Sequence, residues 1–318
     1  MLSLTGISKH FGSHQVLNDV SFNVARGRLT GFVGGNGAGK TTTMRIVLGV
    51  LSSNTGTVTL DGRPLTGDDL RTFGYMPEER GLYPKMEISE QLSYLARLHG
   101  IDKAAATKRA DALLERLGLG ERRKDKLETL SLGNQQRVQV AAALVHEPDV
   151  LIMDEPFSGL DPLAVDEVVT VIAEHAARGI PVLFSSHQLE VVERLCDDLV
   201  IIAGGQIRAA GTREDLRAAH SGNRWELVAR SDSGWVRAVP GVVVEELAGD
   251  VATFTAADED AQLVLRRALE YGGVDSFRPI RPSLGEIFRD IVVDAPAVSD
   301  DGSDADESTK ATQKEAVA

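Results

Sequence analysis

Cysteine is nearly missing from this 318-residue chain: Cys196 stands alone, so neither an intrachain disulfide nor a cluster of thiolate metal ligands can form. Such usage suits a reducing compartment. The neighbours Val191, Val192 and Leu195 place Cys196 on an apolar helical face, as a buried small hydrophobe or, alternatively, a reactive thiol. Long apolar runs are missing too, none approaching the roughly 18 residues of a spanning helix. The N-terminal MLSLTGISKHFG has neither a basic leader nor an apolar core, so the chain is expected to be neither exported by a signal peptide nor self-inserting. Basic residues are in deficit, 34 Lys and Arg against 47 Asp and Glu, and the net charge of −13 argues against a nucleic-acid partner. Part of this deficit is local. From Asp294 to Ala318 seven acids face two lysines with almost no large apolar residue, the composition of a disordered, solvated tail.

Hydrophobic residues make up 42% of the chain, enough for one large unit and a smaller one. The most informative stretch is Gly34-Gly35-Asn36-Gly37-Ala38-Gly39-Lys40-Thr41-Thr42, which fits G-x-x-x-x-G-K-[ST]. Glycines let successive backbone N–H groups turn inward on phosphate oxygens. Lys40 can reach the β- and γ-phosphates, and the Thr41 hydroxyl can ligate Mg²⁺. Leu29–Val33 reads as a strand leading in and Thr42–Val50 as a helix leading out, so a helix N-terminus adds its partial positive charge. A plain Gly-rich turn is the bland alternative.

Upstream, Leu2–Ile7 and Val16–Val24 alternate like half-buried strands around the turn Phe11-Gly12-Ser13. Phe11 could stack on a base or fold back into the sheet. Gly56–Leu60 and Thr72–Pro77 read as further strands. Residues from about 85 to 145 change character: Ile88, Leu92, Leu95 and Leu98, then Ala106, Ala110, Leu113, Leu114 and Leu117, recur at helical spacing. Asp102 can cap the second of these helices and Gly118 end it. Ser131 begins a third.

Val150–Met153 and Pro181–Phe184 are continuous apolar runs, as expected of parallel strands covered on both faces. The first delivers Asp154 and Glu155, the second Ser185, Ser186 and His187, at the strand ends where open α/β sheets bind ligands. Adjacent acids there could simply cap a helix. Beside a phosphate loop they suit a division of labour, Asp154 holding Mg²⁺ through water and Glu155 polarising the attacking water. Asp161-Pro162 is also a good helix start in its own right, and a lone His187 would be a weak signal.

In their order and spacing these residues resemble the nucleotide-binding subunit of an ABC transporter over about 1–220. The resemblance implies an adenine contact at Phe11 and a Walker A loop at Gly34–Thr42. It implies a Q-loop around Glu78, a signature at Leu130–Gln135 with Ser131 and Gly133, Walker B at Leu151–Glu155, a D-loop at Ser158–Asp161 and a switch histidine at His187. Two places depart from the family pattern: the signature reads LSLGN rather than LSGGQ, and Glu78 stands where glutamine is usual. GYMPEERGLYP and PSLGEIF look like the branch that serves bacterial and archaeal sodium and drug exporters.

The implied fold is α/β, a P-loop NTPase core with an antiparallel β subdomain and a helical insertion, then a small α+β domain at 221–293 and the disordered tail at 294–318. In that small domain strands are expected near Trp225–Ala229 and Val242–Thr255, and a helix near Asp260–Tyr271. The implied chemistry is ATP hydrolysis with Mg²⁺, with Lys40, Glu155 and His187 catalytic. Thr41, Glu78 and Asp154 would hold the metal; Ser131, Gly133 and Asp161 would meet nucleotide across a head-to-tail dimer. The implied partners are a second ATPase subunit and separate transmembrane permease subunits, with the chain cytoplasmic and peripheral at the inner face of the cell membrane. A soluble regulatory ATPase with the same head is the alternative, although tandem phosphate loops and long coiled coil, features of such proteins, are absent from the sequence.

Overall fold

A computed structural model describes residues 1–220 and 222–293; the acidic stretch 294–318, expected to be disordered, lies outside the described residues. The chain opens with β1 (Leu2–Phe11), β2 (His14–Val24) and β3 (Leu29–Val33), followed by α1 (Lys40–Val47). Next come β4 (Thr55–Leu60), β5 (Arg63–Pro64), α2 (Gly67–Leu70) and β6 (Phe73–Met76). A helical stretch, α3 (Ile88–Leu98), α4 (Lys103–Arg116) and α5 (Leu132–Leu144), precedes β7 (Val150–Met153), α6 (Pro162–Ala177) and β8 (Val182–Ser186). Then α7 (Leu189–Leu195), β9 (Asp198–Ala203), β10 (Gln206–Thr212) and α8 (Arg213–His220) lead to the C-terminal part. That part comprises β11 (Arg224–Ala229), β12 (Val242–Ala248), β13 (Val251–Ala256), α9 (Asp258–Glu270), β14 (Val274–Pro279) and α10 (Leu284–Val293).

Among the described residues these strands form three sheets, ordered β2-β1-β4-β5, β10-β9-β3-β8-β7-β6 and β12-β13-β11-β14. The first and third are antiparallel; the second is parallel except at the β9–β10 hairpin. Every residue of β3, β7 and β8 is buried, which is why these strands read as unbroken apolar runs. Their side chains alternate between two cores. Val150 and Ile152 face the antiparallel sheet and α1, whereas Leu151 and Met153 face the helices. Register then decides what meets at the sheet edge. Val33 pairs with Ser186, Met153 with Phe184 and Met76 with Met153, so Gly34, Asp154, His187 and Glu78 all emerge at the carboxyl ends of neighbouring strands.

In the helical stretch Asp102 caps α4, accepting from the N–H groups of Ala104 and Ala105 at 3.0 and 3.1 Å, and Gly118 turns away at φ +70°. The apolar stripe of α3 differs from expectation at its end. Ile88, Leu92 and Ala96 are buried and Leu98 is exposed, since a residue six positions beyond Leu92 has turned away from that face. Cys196 is buried, and burial pushes its thiol well above the usual range, so the inert alternative holds. It packs so near the sheet that a side chain at Gly31 would meet Sγ at 2.6 Å.

In the C-terminal part the stretch 242–255 is two strands rather than one, broken where Gly249 adopts φ +63° and closes a hairpin pairing Ala248 with Val251. Trp225 stacks on Phe277 at 5.1 Å over a small core of Leu227, Ala252, Phe254 and Val264. The final helix does not stay there. Leu284 and Ile287 are buried in the main core with α7, where Leu284, Ile287, Phe288 and Ile291 lay down an apolar stripe.

Candidate nucleotide site

The loop from Gly34 to Gly39 joins β3 to α1 through backbone conformations and approaches that exclude side chains. Gly39 lies at φ +105°, and a Cβ there would sit 2.5 Å from Leu17 Cδ2; one at Gly34 would sit 2.5 Å from the carbonyl oxygen of Ile202. Gly35 and Gly37 have open space instead, so the loop is backed by protein at its ends and open in its middle. Lys40 is buried and donates to the carbonyls of Gly34 (2.8 Å) and Gly35 (3.2 Å), so its ammonium sits inside the curve of the loop. The Thr43 hydroxyl donates to the Gly39 carbonyl at 2.8 Å and pins the first turn of α1.

Across the sheet edge, Asp154 is held by two hydroxyls: Thr41 Oγ1 donates to one carboxylate oxygen at 2.8 Å and Ser185 Oγ to the other at 2.5 Å. Ser185 Oγ also accepts from the N–H of Glu155 at 2.9 Å. Glu155 takes the left-handed conformation, φ +51°, a strained choice for a residue with a side chain. What over-determines it is that N–H bond together with Gln136, whose amide donates to the carbonyls of Glu155 and Pro156 at 3.0 and 3.2 Å. The result aims the Glu155 carboxylate at His187, whose Nδ1 lies 2.9 Å from Oε2. A cleft of about 880 Å³ opens over these groups, walled by residues 35–42, Glu78, Asp154, Glu155 and His187, with His14 and Val16 on the side of β2.

Of the residues singled out from sequence, the structure thus brings Gly35, Asn36, Gly37, Ala38, Gly39, Lys40, Thr41, Thr42, Glu78, Asp154, Glu155 and His187 to one cleft. Gly34 lies under the loop as a Lys40 acceptor. Phe11 stands outside the cleft wall: its ring is half exposed and not folded into the sheet, with the Lys9 ammonium 5.2 Å from its centroid. Ser131, Gly133 and Asp161 also lie elsewhere. Ser131 Oγ accepts from Asn134 N at 3.4 Å and caps α5, Asp161 Oδ1 accepts from Ala164 N at 2.9 Å and caps α6, and a Cβ on Gly133 would meet the Gly159 carbonyl at 3.2 Å. Sequence reasoning missed His14, Val16, Gln136 and the orienting hydroxyl of Ser185. Only Ser185 carried a signal, its place at the end of an apolar strand.

A glycine loop closing on a lysine, facing two acids and a histidine at the ends of parallel strands, defines a P-loop nucleotide triphosphatase. The chain belongs to the ATP-binding subunits of ABC transporters, which are ATPases: residues 17–158 match the family model "ABC transporter", and residues 211–292 match "ATP-binding protein DrrA1-3-like, C-terminal domain". It is 36% identical over 289 residues to the ABC transporter ATP-binding protein YhaQ of Bacillus subtilis, covering 91% of this chain and 97% of that protein. It is 37% identical over 219 residues to the linearmycin resistance ATP-binding protein LnrL of the same organism, covering 68% of this chain and 70% of the relative. A solved ATP-binding subunit of an ABC transporter superposes with a TM-score of 0.64 at 35% identity, over 69% of this chain and 92% of that one.

Proposed function

We propose that the cleft binds ATP with Mg²⁺, that two such subunits close head to tail over two nucleotides, and that hydrolysis by the chain powers extrusion through separate membrane subunits. The observation that carries this is the pair of contacts in one cleft: Thr41 to Asp154 at 2.8 Å and His187 to Glu155 at 2.9 Å, both facing the Lys40 loop. The donors at the first pair are all oxygen. Among the described residues no group of three or more His, Cys, Asp or Glu could hold a metal, so a complete protein cage is not what these side chains offer. One hydroxyl beside one carboxylate fits Mg²⁺, which keeps water and phosphate oxygens in its shell. Thr41 and Asp154 would hold it, and it would neutralise charge on the phosphates.

The residues divide the rest of the work. Lys40 and backbone N–H groups of the loop answer phosphate charge at the start of α1. Glu155 accepts a proton from water in line with the γ-phosphate, and His187 holds that carboxylate in place. Ser131 and Gly133 start a 13-residue helix away from their own cleft, which suits contact with the nucleotide of a facing subunit. Gly133 packs against Gly159 and Leu160, the residues just before Asp161.

No helix among the described residues is long and apolar enough to cross a membrane. The stroke would pass to the membrane subunits through the loop from Glu78 to Tyr83 and the helices after it, with the chain at the cytoplasmic face. Two buried glutamines tie that loop to the helices: Gln139 of α5 donates to the carbonyls of Pro77 and Glu79, and Gln91 of α3 brackets Tyr83 N and O at 2.7 and 3.2 Å. Extrusion, as the work done, is supported by the likeness to a resistance protein.

Dimer closure tests this reading. In a Glu155→Gln background ATP should convert monomer to dimer in light scattering, and adding Ser131→Arg should block the conversion by placing a bulky cation at the facing surface. A dimer that forms equally well with arginine there would rule out the head-to-tail arrangement.

Glu78 offers a finer test. It is exposed at the cleft, where a carboxylate would repel the nucleotide's phosphates unless a cation lies between them. Glu78→Gln should therefore strengthen ATP binding measured in chelator, and shrink the ratio of affinities with and without Mg²⁺ by about tenfold, equivalent to ~1.4 kcal/mol. An unchanged ratio would mean that Glu78 does not act on the nucleotide.

A further inference from the structure

The helix after His187 is short and is held from outside by later helices. The seven-residue α7 begins two residues beyond His187, too short to keep its place by its own hydrogen bonds. From α8, Arg213 donates to the Glu193 carbonyl at 2.6 Å and Arg217 pairs with the Glu193 carboxylate. From α6, Asp166 meets Arg194 at 2.8 Å in an exposed pair that contributes little. Apolar support comes from β3, where Val192 lies over Gly31, and on the outer side from α10. Its start is set by a reciprocal capping box: Ser283 N and Oγ donate to Glu286 Oε2 at 2.8 and 2.9 Å, and Glu286 N donates to Ser283 Oγ at 3.2 Å. Beyond that cap Leu284 and Ile287 are buried, and with Phe288 and Ile291 they pack into the cluster that contains Leu189, Val191, Val192 and Leu195. The His187 side chain is itself 59% exposed and, among the described residues, touches the site through its 2.9 Å contact to Glu155. The main chain that runs from His187 through Gln188 into α7 sets where that imidazole stands.

We infer that α10 is a positioning element for His187, so that the C-terminal unit sets the rate of hydrolysis through α7, with Ile287 as the central contact. The inference rests on the reading of His187 as part of the hydrolytic site. Loosening α10 displaces His187 relative to Glu155 while leaving undisturbed the Lys40 loop, which leads from β3 into α1 and the other core. Whatever lifts α10, a membrane partner or a shift of the small sheet, then slows hydrolysis with nucleotide still bound.

The test is a double-mutant cycle in the full chain, with kcat expressed per nucleotide-binding site titrated at equilibrium, so that unfolded protein does not count. Ile287→Ala should lower kcat per site about tenfold with ATP affinity unchanged, since small displacements at a reacting centre cost at least this much. Ile287→Val should restore most of the rate. In a His187→Ala background Ile287→Ala should have no further effect. If the two losses multiply, or if Ile287→Ala reduces only the number of binding sites, α10 does not act through His187. If His187→Ala alone turns over normally, it is the reading of the site that fails. Should Ile287→Ala not fold, Phe288→Leu taken through the same cycle decides the question by the same criteria.

Discussion

Replacing Glu155 with glutamine should leave ATP bound and lower kcat by about a thousandfold, the middle of the range for a positioned general base. Glutamine has the same shape, and the main chain at this position is held independently of the side chain by Ser185 at the N–H and Gln136 at the carbonyl. The left-handed conformation at residue 155 should therefore survive, and with it the position of Asp154 beside Thr41. What disappears is the capacity to accept a proton, because an amide oxygen is a far weaker base than a carboxylate. Equilibrium nucleotide binding together with steady-state phosphate release checks both halves. Ordinary turnover by the variant would remove Glu155 from the role of base, and loss of binding would mean that its charge shapes the cleft more than its proton does.

Lys40→Ala should produce the opposite separation, with ATP affinity falling about a hundredfold and hydrolysis lost for want of bound substrate. The buried ammonium is aimed into the loop by the Gly34 and Gly35 carbonyls, and a phosphate approaching the open middle of the loop would meet it. Losing hydrogen bonds to a charged group costs about 1.5–3 kcal/mol each, so one or two of them amount to roughly a hundredfold in dissociation constant. The loop itself should persist, since its geometry comes from Gly39 at φ +105° and from the Thr43 bond to the Gly39 carbonyl, neither of which involves Lys40. Isothermal titration, with far-UV circular dichroism as the folding control, measures the effect. Wild-type affinity in a folded variant would place the phosphates away from this loop.

Some of this architecture is legible because its information is local. The residue type that caps a helix, as at Asp102, Ser131 and Asp161, acts within a single turn, and the spacing of Gly34, Gly39, Lys40 and Thr41 lies within a few residues of one loop. An apolar run such as Val150–Met153 reports burial on both faces whatever its neighbours are. Where a signal covers a few residues only, reading it is less secure: Leu98 fits the apolar stripe by count yet has rotated away, and one glycine divides 242–255 into a hairpin.

The sequence by itself determined which chemical groups this chain possesses and which strand, loop or helix end each one occupies, because propensity, capping and periodicity act over one to a few turns. Only the tertiary structure decided which of those groups meet. Thr41 reaches Asp154 across 113 positions, Ser185 reaches Asp154 across 31, and His187 reaches Glu155 across 32, each through the pairing order β3-β8-β7. The same holds for α10, whose apolar stripe is plain in the sequence but whose partner α7 is not. Strand order and helix docking are selected by the burial of surfaces contributed from distant parts of the chain, and non-directional apolar burial leaves no local mark of its partner.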